Sequence, residues 1–300
     1  MAEFEAYTVI GLSLGGIFAL AALGIVLIYR TTGVLNFAQG AMGMFSAFVG
    51  WQVLYGWHHS TGKYEFGWMA LSVLVAMIFS LLLGLVLEVG VFRHLAGRPP
   101  VVKAVITVGI LLVLQYGAIL IWGSTQYHLP IDVVPPDVRP VMVAGVPVGL
   151  KELTVILVAL GLAGGIAAFL RFNRFGIAMR AVSDDPVAAS LWGVPVNRVG
   201  AASWMLGSLV ACIAGILITP FINLDTVSLT LLVLDALAAA LIGGLVSLPL
   251  TVLGGFILGL LETYPQMWTH SLGFPKLVAI TVILAVLIFR TPKGLLASSR

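Results

Sequence analysis

Residues 6–29 read AYTVIGLSLGGIFALAALGIVLIY and contain no charged side chain. A helix needs about 20 consecutive apolar residues to cross the hydrocarbon core of a bilayer, so this stretch predicts a transmembrane helix. Comparable stretches recur along the whole chain. We predict about nine membrane-embedded helices, at residues 6–29, 35–57, 66–87, 104–122, 153–170, 199–222, 226–246, 250–268 and 274–289.

The composition of the 300 residues indicates the same class of protein. Apolar residues make up 60% of the chain, charged residues only 9%, and the mean hydropathy is +1.12. A soluble domain carries about 25% charged residues, which excludes a soluble globular enzyme and a disordered protein. The strength of the apolar signal also excludes an outer-membrane barrel. We predict an all-α, polytopic integral membrane protein with one domain over residues 1–300.

The sequence offers no metal chemistry. Cys212 is the single cysteine and lies in an apolar run, which excludes a disulfide framework and a cysteine-based metal site. His58 and His59 are adjacent, with no cysteine or acid at a ligand spacing. We expect no metal and, because the phosphate-loop motif is missing, no ATP site on this chain.

The basic residues predict the orientation in the membrane. With the N-terminus outside, 11 of the 15 basic residues fall on the cytoplasmic side. The outer side then receives only Lys63, Arg139, Lys151 and Lys276. Cytoplasmic loops carry an excess of Lys and Arg, so we predict an outside N-terminus and a cytoplasmic C-terminus. Lys276 lies in the ninth segment, which is short unless this side chain extends to the membrane surface.

The predicted extracytoplasmic loop, residues 123–152, is rich in proline. Its stretch VMVAGVPVG, residues 141–149, alternates as in a small β-hairpin with a turn at Ala144 and Gly145. Two interpretations remain open for this loop. It is either a rigid cap on the protein or a docking surface for a partner outside the cell.

The predicted cytoplasmic segment, residues 171–198, reads RFNRFGIAMRAVSDDPVAASLWGVPVNR. Gly176 begins a short helix-forming stretch, and Asp185 followed by Pro186 is typical of the start of a second helix. Gly193 suits the position just after a helix end, and the next proline prevents continuation. We therefore predict two short helices with a sharp bend between them.

The apolar side chains of this segment have nothing to cover them if the segment stands alone in water. They are Ile177, Met179, Val182, Val187, Leu191 and Trp192. Such exposed apolar side chains on a structured loop indicate a surface for a partner protein. The alternative is a helix that lies flat on the bilayer, with Arg174 and Arg180 near lipid phosphates.

Polar residues interrupt the second predicted segment. Asn36 and Gln39 are three residues apart, so on a helix they share one face. Gly40 and Gly43 form a small face that permits close helix contact. The two amides either bond between helices or line a pathway, and this segment is either a full span or a broken, re-entrant one.

Two acidic residues fall inside predicted spans. Asp235 lies in the middle of the seventh segment, where an unpaired charge costs about 2.5–3.5 kcal/mol, so we expect it to find a partner or water. Glu262 lies shortly before Tyr264 and Pro265, where a helix break would let it face water. The role of both acids stays open, and a proton relay is one alternative for Asp235.

Several stretches resemble one transporter family. The string AASLWG, residues 188–193, looks like the coupling loop of ABC importer permeases, although Val187 stands where that motif usually has glutamate. The longer stretch 176–199 resembles the coupling region of branched-chain amino-acid ABC permeases of the LivH type. Four further stretches resemble that family in the same order along the chain, namely residues 29–48, 88–115, 242–262 and 289–297.

This resemblance implies a multi-pass permease of a prokaryotic cytoplasmic membrane that is not itself an enzyme. Its implied partners are cytoplasmic ATPases carrying ATP and Mg, a second permease chain, an external solute-binding protein and membrane lipid, with no nucleic acid. The implied ATPase-coupling residues are Gly176, Arg180, Asp184, Asp185, Pro186, Ala188, Ala189 and Gly193. The implied pathway or gating residues are Asn36, Phe37, Gln39 and Gly40.

Two other classes of transport protein remain as alternatives. A secondary transporter would use Asp235 or Glu262 to couple transport to an ion gradient. A passive channel for a small solute would use the LNFAQG break, residues 35–40, as its filter. Neither class needs a structured cytoplasmic segment such as 171–198.

Overall fold

A computed structural model describes residues 2–61, 66–95, 97–127, 141–143, 146–268 and 273–289 of the chain. Nearly all of these residues are helical. The α-helices are α1 Ala2–Thr32, α2 Gln39–Thr61, α3 Phe66–Gly90, α4 Pro100–Trp122, α5 Leu150–Phe172, α6 Arg174–Asp184, α7 Pro186–Leu191, α8 Val196–Ile218, α9 Ser228–Ile242, α10 Leu248–Thr263 and α11 Phe274–Phe289. Short 3-10 helices follow α3 and α10, at Phe92–Leu95 and Tyr264–Met267.

The prediction of an all-α polytopic membrane protein is confirmed. Within the described ranges, six helical segments are long and apolar enough to cross a membrane, and they contain α1, α3, α4, α5, α8 and α10. The helices α9 and α11 are apolar but shorter. The second predicted segment is broken at its start, because α2 begins only at Gln39 and residues 33–36 are not helical.

Burial separates central helices from peripheral ones. In an apolar 18-residue stretch of each helix, 78% of the residues are buried in α1 and 67% in α8. The corresponding fractions are only 11% in α4 and 17% in α5. The side chains that α4 exposes are large and apolar, for example Val113 and Leu120 at 72% and 87% exposure. Apolar surfaces of this size suit contact with lipid or with another apolar helix.

Glycines bring α1 and α10 into their close contact. Gly11 and Gly15 on α1 face Gly255 and Gly259 on α10, so each helix presents a G-x-x-x-G motif to the other. A Cβ added to Gly259 would lie 2.5 Å from the Cα of Gly15. Such motifs let helix backbones approach closely in membranes, where no hydrophobic effect drives the association.

The predicted small face of α2 also makes such contacts. A Cβ on Gly40 would meet the backbone carbonyl of Leu229 on α9 at 3.0 Å, and a Cβ on Gly43 would meet that of Ala211 on α8 at 2.5 Å. A Cβ added to Gly215 of α8 would likewise meet the backbone of Gly43. The prediction of close helix packing at these glycines is therefore confirmed.

The predicted hairpin between α4 and α5 is present. Strand β1, Val141–Val143, pairs antiparallel with strand β2, Val146–Val148, so that Val143 lies opposite Val146. The predicted turn at Ala144 and Gly145 lies outside the described residues. Before the hairpin, Tyr127 forms a β-bridge with Leu224, which joins the end of α4 to the connection between α8 and α9.

The ends of α1, α3 and α5 lie on one side of the bundle together with α6 and α7. A single cavity is lined by residues from the end of α1, the end of α3, the start of α4 and the α6–α7 region. We call this the α6–α7 side. The β-bridge of Tyr127, between the end of α4 and the end of α8, lies on the opposite side.

Candidate functional site

The helix α6 begins at a side-chain cap. Asn173 precedes the helix, and its side-chain oxygen accepts a hydrogen bond from the Phe175 amide at 2.8 Å. The prediction that Gly176 begins this helix is therefore wrong, because an asparagine provides the capping oxygen that a glycine lacks. Gly176 instead permits close packing, since a Cβ there would lie 2.6 Å from the Cα of Leu170 at the end of α5.

The bend between α6 and α7 is formed by the residues that the sequence predicted at the helix ends. The Asp185 carboxylate accepts hydrogen bonds from the amides of Val187 and Ala188 at 2.8 and 2.9 Å, and Pro186 occupies the first turn. Gly193 has a φ of +80° just after the end of α7, where a residue without a Cβ is favoured. The two short helices and these end residues are confirmed.

The α6–α7 segment has a buried inner face. Met179 and Val182 are each 1% exposed, and Ala189 is 5% exposed. They pack with Leu27 of α1, Leu170 of α5 and Val199 of α8. The segment therefore does not stand alone, because the ends of three long helices cover Met179 and Val182.

The opposite, outer face of the segment is exposed and apolar. It consists of Val187, Leu191 and Trp192, which are 67%, 83% and 89% exposed. The remaining predicted coupling residues on the surface are charged or small. Arg180, Asp184, Asp185, Pro186 and Gly193 are exposed, and Ala188 is half-buried. The segment thus exposes a large aromatic side chain, Trp192, and aromatic side chains are enriched at protein-binding surfaces.

A cavity of about 570 Å³ lies between this segment and the bundle. Charged groups line it, among them Arg30, Lys103 and Asp184. The guanidinium of Arg30 donates to the Ser183 hydroxyl at 3.2 Å, which ties the end of α1 to α6. Glu88 forms a salt bridge with Arg93, at 3.0 Å. The cavity therefore lies between the α6–α7 segment and the ends of α1 and α8.

The predicted pathway residues lie in the interior. Asn36 precedes α2, so it does not share a helical face with Gln39 as predicted. Its side-chain oxygen accepts from the Ala38 amide at 3.0 Å, a turn that competes with helix formation. Its amide nitrogen donates to Gln39 Oε1 at 2.9 Å, and Gln39 Nε2 donates to the carbonyl of Gly207 on α8 at 3.0 Å.

A threonine that the sequence did not indicate holds the same segment from α4. The Thr107 hydroxyl accepts a hydrogen bond from the amide of Phe37 at 3.2 Å, and its single proton is shared between the carbonyls of Ala104 in its own helix at 2.7 Å and of Leu35 at 3.1 Å. The four predicted pathway residues are buried or, for Phe37, half-buried, and none of them lines the cavity described above. The bonds of Asn36 and Gln39 thus join the start of α2 to α8, and their pathway role stays a prediction.

The two intramembrane acids meet in the interior. Asp235 on α9 forms an ion pair with Lys276 of α11, so the expected partner of Asp235 is a lysine. The sequence had placed Lys276 at the membrane surface, but its ammonium turns inward to the carboxylate. Glu262 on α10 is also buried, and its carboxyl group is close enough to that of Asp235 to interact with it. Three helices therefore contribute one ionisable side chain each to one cluster.

Comparison with known proteins assigns the family. A family model described as branched-chain amino acid transport system / permease component matches residues 7–290. The chain belongs to this family. The permease is a multi-pass protein of the cytoplasmic membrane and, as a transport component, is not itself an enzyme.

Curated relatives cover nearly the whole permease. The high-affinity branched-chain amino acid transport system permease protein LivH of Escherichia coli is 25% identical over 295 residues, which are 95% of this chain and 93% of the relative. BraD of Pseudomonas aeruginosa, described in the same words, is 26% identical over 95% of this chain and 93% of its own. A probable LivH of Methanocaldococcus jannaschii is 29% identical over 92% and 87%. No solved structure matches.

Replacing Asn36 of the permease with leucine tests the positioning role of this residue. The change leaves the Ala38 amide and Gln39 Oε1 without partners, and a buried unsatisfied polar group costs about 1–3 kcal/mol. We expect a clearly lower melting temperature in detergent. The matched control is Asn223→Leu, since Asn223 is exposed and makes only a 3.3 Å bond to Gln126. Equal melting temperatures for the two variants would contradict this role.

Proposed function

We propose that the permease is the transmembrane subunit of an ABC importer for branched-chain amino acids or related small polar solutes. The observation that carries this proposal is the two-faced α6–α7 segment. Its inner face is buried against α1, α5 and α8, while its outer face leaves Leu191 and Trp192 exposed. Such a segment binds a partner on one side and the spans on the other.

The packing of the inner face suggests how force is transmitted. Core packing is dense, so a displaced segment moves the helices that it contacts. Met179 and Val182 contact the end of α1, and Arg30 ties the same helix end to Ser183. We propose that closure of a bound ATPase pair moves α6 and α7 and thereby shifts α1 and α8 between two arrangements. The predicted coupling residues then act through this movement.

We propose nine spans, an outside N-terminus and a cytoplasmic α6–α7 side. The charges that converge on the cavity support this orientation, because Arg30, Arg93 and Lys103 all line it and Arg180 lies nearby on α6. Basic residues of membrane proteins concentrate on the cytoplasmic side. In this orientation, α2, α9 and α11 are shorter or broken spans, and the hairpin of β1 and β2 faces outward.

The proposed partners follow from the surfaces that remain uncovered. Cytoplasmic ATPases, which would carry ATP and Mg, bind the outer face of α6–α7. An external solute-binding protein delivers the solute at the side of the hairpin. A second permease chain and lipid cover the exposed apolar sides of the peripheral helices, where Val113 and Leu120 point outward. This permease chain itself needs no cofactor.

One experiment separates this proposal from the two alternative transporter classes. The permease is purified from its native membrane in mild detergent, and the associated proteins are identified by mass spectrometry. We expect soluble ATPases and a second permease. The purified assembly is then placed in liposomes to measure uptake of leucine, isoleucine and valine.

The expected uptake needs ATP on the cytoplasmic side and persists when ion gradients are collapsed. Uptake that stops with the gradient would instead identify a secondary transporter. Uptake without ATP or a gradient would identify a passive channel. Recovery of the permease alone from several detergents would also contradict the proposal.

A further inference from the structure

The interior cluster of Asp235, Glu262 and Lys276 contains two acidic groups but only one basic group. Asp235 and Glu262 are only 1% and 3% exposed. Lys276 provides one positive charge and pairs with Asp235. If both carboxyl groups were ionised, the cluster would hold one uncompensated negative charge among apolar helices, which is strongly unfavourable.

The hydrogen-bonding atoms of the cluster indicate what is missing. Asp235 Oδ1 and Glu262 Oε1 are both buried, and neither has a hydrogen-bond partner within the described part of the chain. The two carboxyl groups are nevertheless close enough to interact directly with each other. Two carboxylates can only accept hydrogen bonds, whereas one protonated carboxyl donates to its neighbour.

We propose that the cluster binds one proton, held between the carboxyl groups of Asp235 and Glu262. With this proton the site contains one carboxylate, one carboxylic acid and one ammonium, so its net charge is zero. The proton also supplies the missing donor between the two acids. The proton is thus a bound ligand of the permease, and the inference holds whatever solute is transported.

The neighbouring helices offer no substitute for the proton. Apart from Glu262 and Lys276 themselves, α2, α10 and α11 contain no Asp, Glu, Lys or Arg, and α1 contains such residues only near its two ends, at Glu3, Glu5 and Arg30. Tyr264, which follows α10, is within 3.1 Å of the Thr8 hydroxyl on α1 and is engaged there. On α1, Arg30 lies at the α6–α7 side, where it bonds Ser183.

The position of the cluster indicates from where the proton comes. Glu262 lies in the last turn of α10 and Lys276 in the first turn of α11, both at the side opposite α6 and α7. The Lys276 side chain is 34% exposed, whereas the Asp235 side chain is 1% exposed. We infer that the proton exchanges with the side opposite α6–α7, past Lys276.

Loss of the proton has a predictable mechanical consequence. The cluster joins α9, which packs against α1 and α2, to the peripheral helix α11. Without the proton, the net negative charge favours separation of these helices and entry of water. Because the closed cluster holds the proton and the opened one releases it, the helix contact weakens as the pH on that side rises.

Infrared spectroscopy of the full chain in lipid nanodiscs tests this proposal. A carboxylic acid has a C=O band that a carboxylate lacks. At neutral pH we expect such a band in the wild type and its loss in Glu262→Gln, which keeps the shape and donor of the acid. The matched control is Glu88→Gln, because Glu88 is equally buried but paired with Arg93, and this variant should retain the band.

A second variant keeps the proposal testable if the first is hard to interpret. Lys276→Met removes the compensating charge, so both acids should then be protonated and the band should increase about twofold. The wild-type melting temperature should fall as pH rises, and that of Glu262→Gln should stay flat. An unchanged band in both variants would overturn the proposal. So would a wild-type spectrum without the acid band that responds to added sodium, which would identify a metal-ion site instead.

Discussion

Replacing Val187, Leu191 and Trp192 together with serine will abolish ATP-driven uptake while the permease still inserts and folds. These side chains are 67%, 83% and 89% exposed, so the isolated chain loses little packing. In protein complexes, truncating a central tryptophan costs about 2 kcal/mol or more of binding free energy, and the surrounding apolar side chains exclude water from it. We therefore expect uptake to fall about 100-fold or more, and the ATPase subunits to be lost on purification.

The control variants replace equally exposed aromatic side chains at other places on the surface. Phe172 and Trp268 are 76% and 78% exposed but lie outside the outer face of α6–α7, so Phe172→Ser and Trp268→Ser should leave uptake and ATPase recovery unchanged. Uptake assays in membrane vesicles and quantitative recovery of the ATPase provide the two measurements. Normal uptake in the triple variant would show that this face does not bind the ATPase.

Replacing Gly259 with alanine will lower the stability of the permease, although alanine is the better helix former. The added Cβ would lie 2.5 Å from the Cα of Gly15 and close to other backbone atoms of α1. Backbone atoms cannot rotate away, so α1 and α10 must separate. Overpacking of this kind costs about 1–3 kcal/mol, more than the gain in helix propensity of about 1 kcal/mol. Melting temperature and the yield of monodisperse protein measure the effect.

The same substitution elsewhere should have the opposite sign. Gly164 lies within α5, and no atom lies within 4 Å of a Cβ added there. Gly164→Ala should therefore leave the melting temperature unchanged or raise it, because alanine stabilises a helix by about 0.5–1 kcal/mol relative to glycine. If the two variants shift the melting temperature alike, the close contact between α1 and α10 is not what stabilises the bundle.

Local features of this protein were predictable from the chain. The apolar runs marked the helices, because lipid requires about 20 apolar residues whatever lies next to them. Asp185 and Gly193 marked the ends of α7, since a cap acts within one turn of its own helix. The alternation of side chains at residues 141–149 indicated the hairpin, because a hairpin also depends on residues that are close together in the chain.

The failures concern residues whose neighbours come from elsewhere in the chain. Asn36 was placed on a helix face because its spacing to Gln39 suited one. It lies in a turn instead, because its side chain bonds the Ala38 amide and Thr107 of α4 bonds the backbone of the neighbouring residues Leu35 and Phe37. Gly176 was taken as a helix start, whereas its lack of a side chain serves the contact with α5. No spacing along the sequence signals either contact.

Local sequence thus determined which stretches enter the membrane and where the short helices end. Only the tertiary structure decided that Lys276 turns inward to Asp235, that Met179 is buried while Trp192 is exposed, and that Gly11 and Gly15 meet Gly255 and Gly259. Hydrophobicity and capping depend on residues within a turn or a strand. Ion pairing and close packing depend on how helices far apart in the chain are placed against each other, and periodicity does not encode that placement.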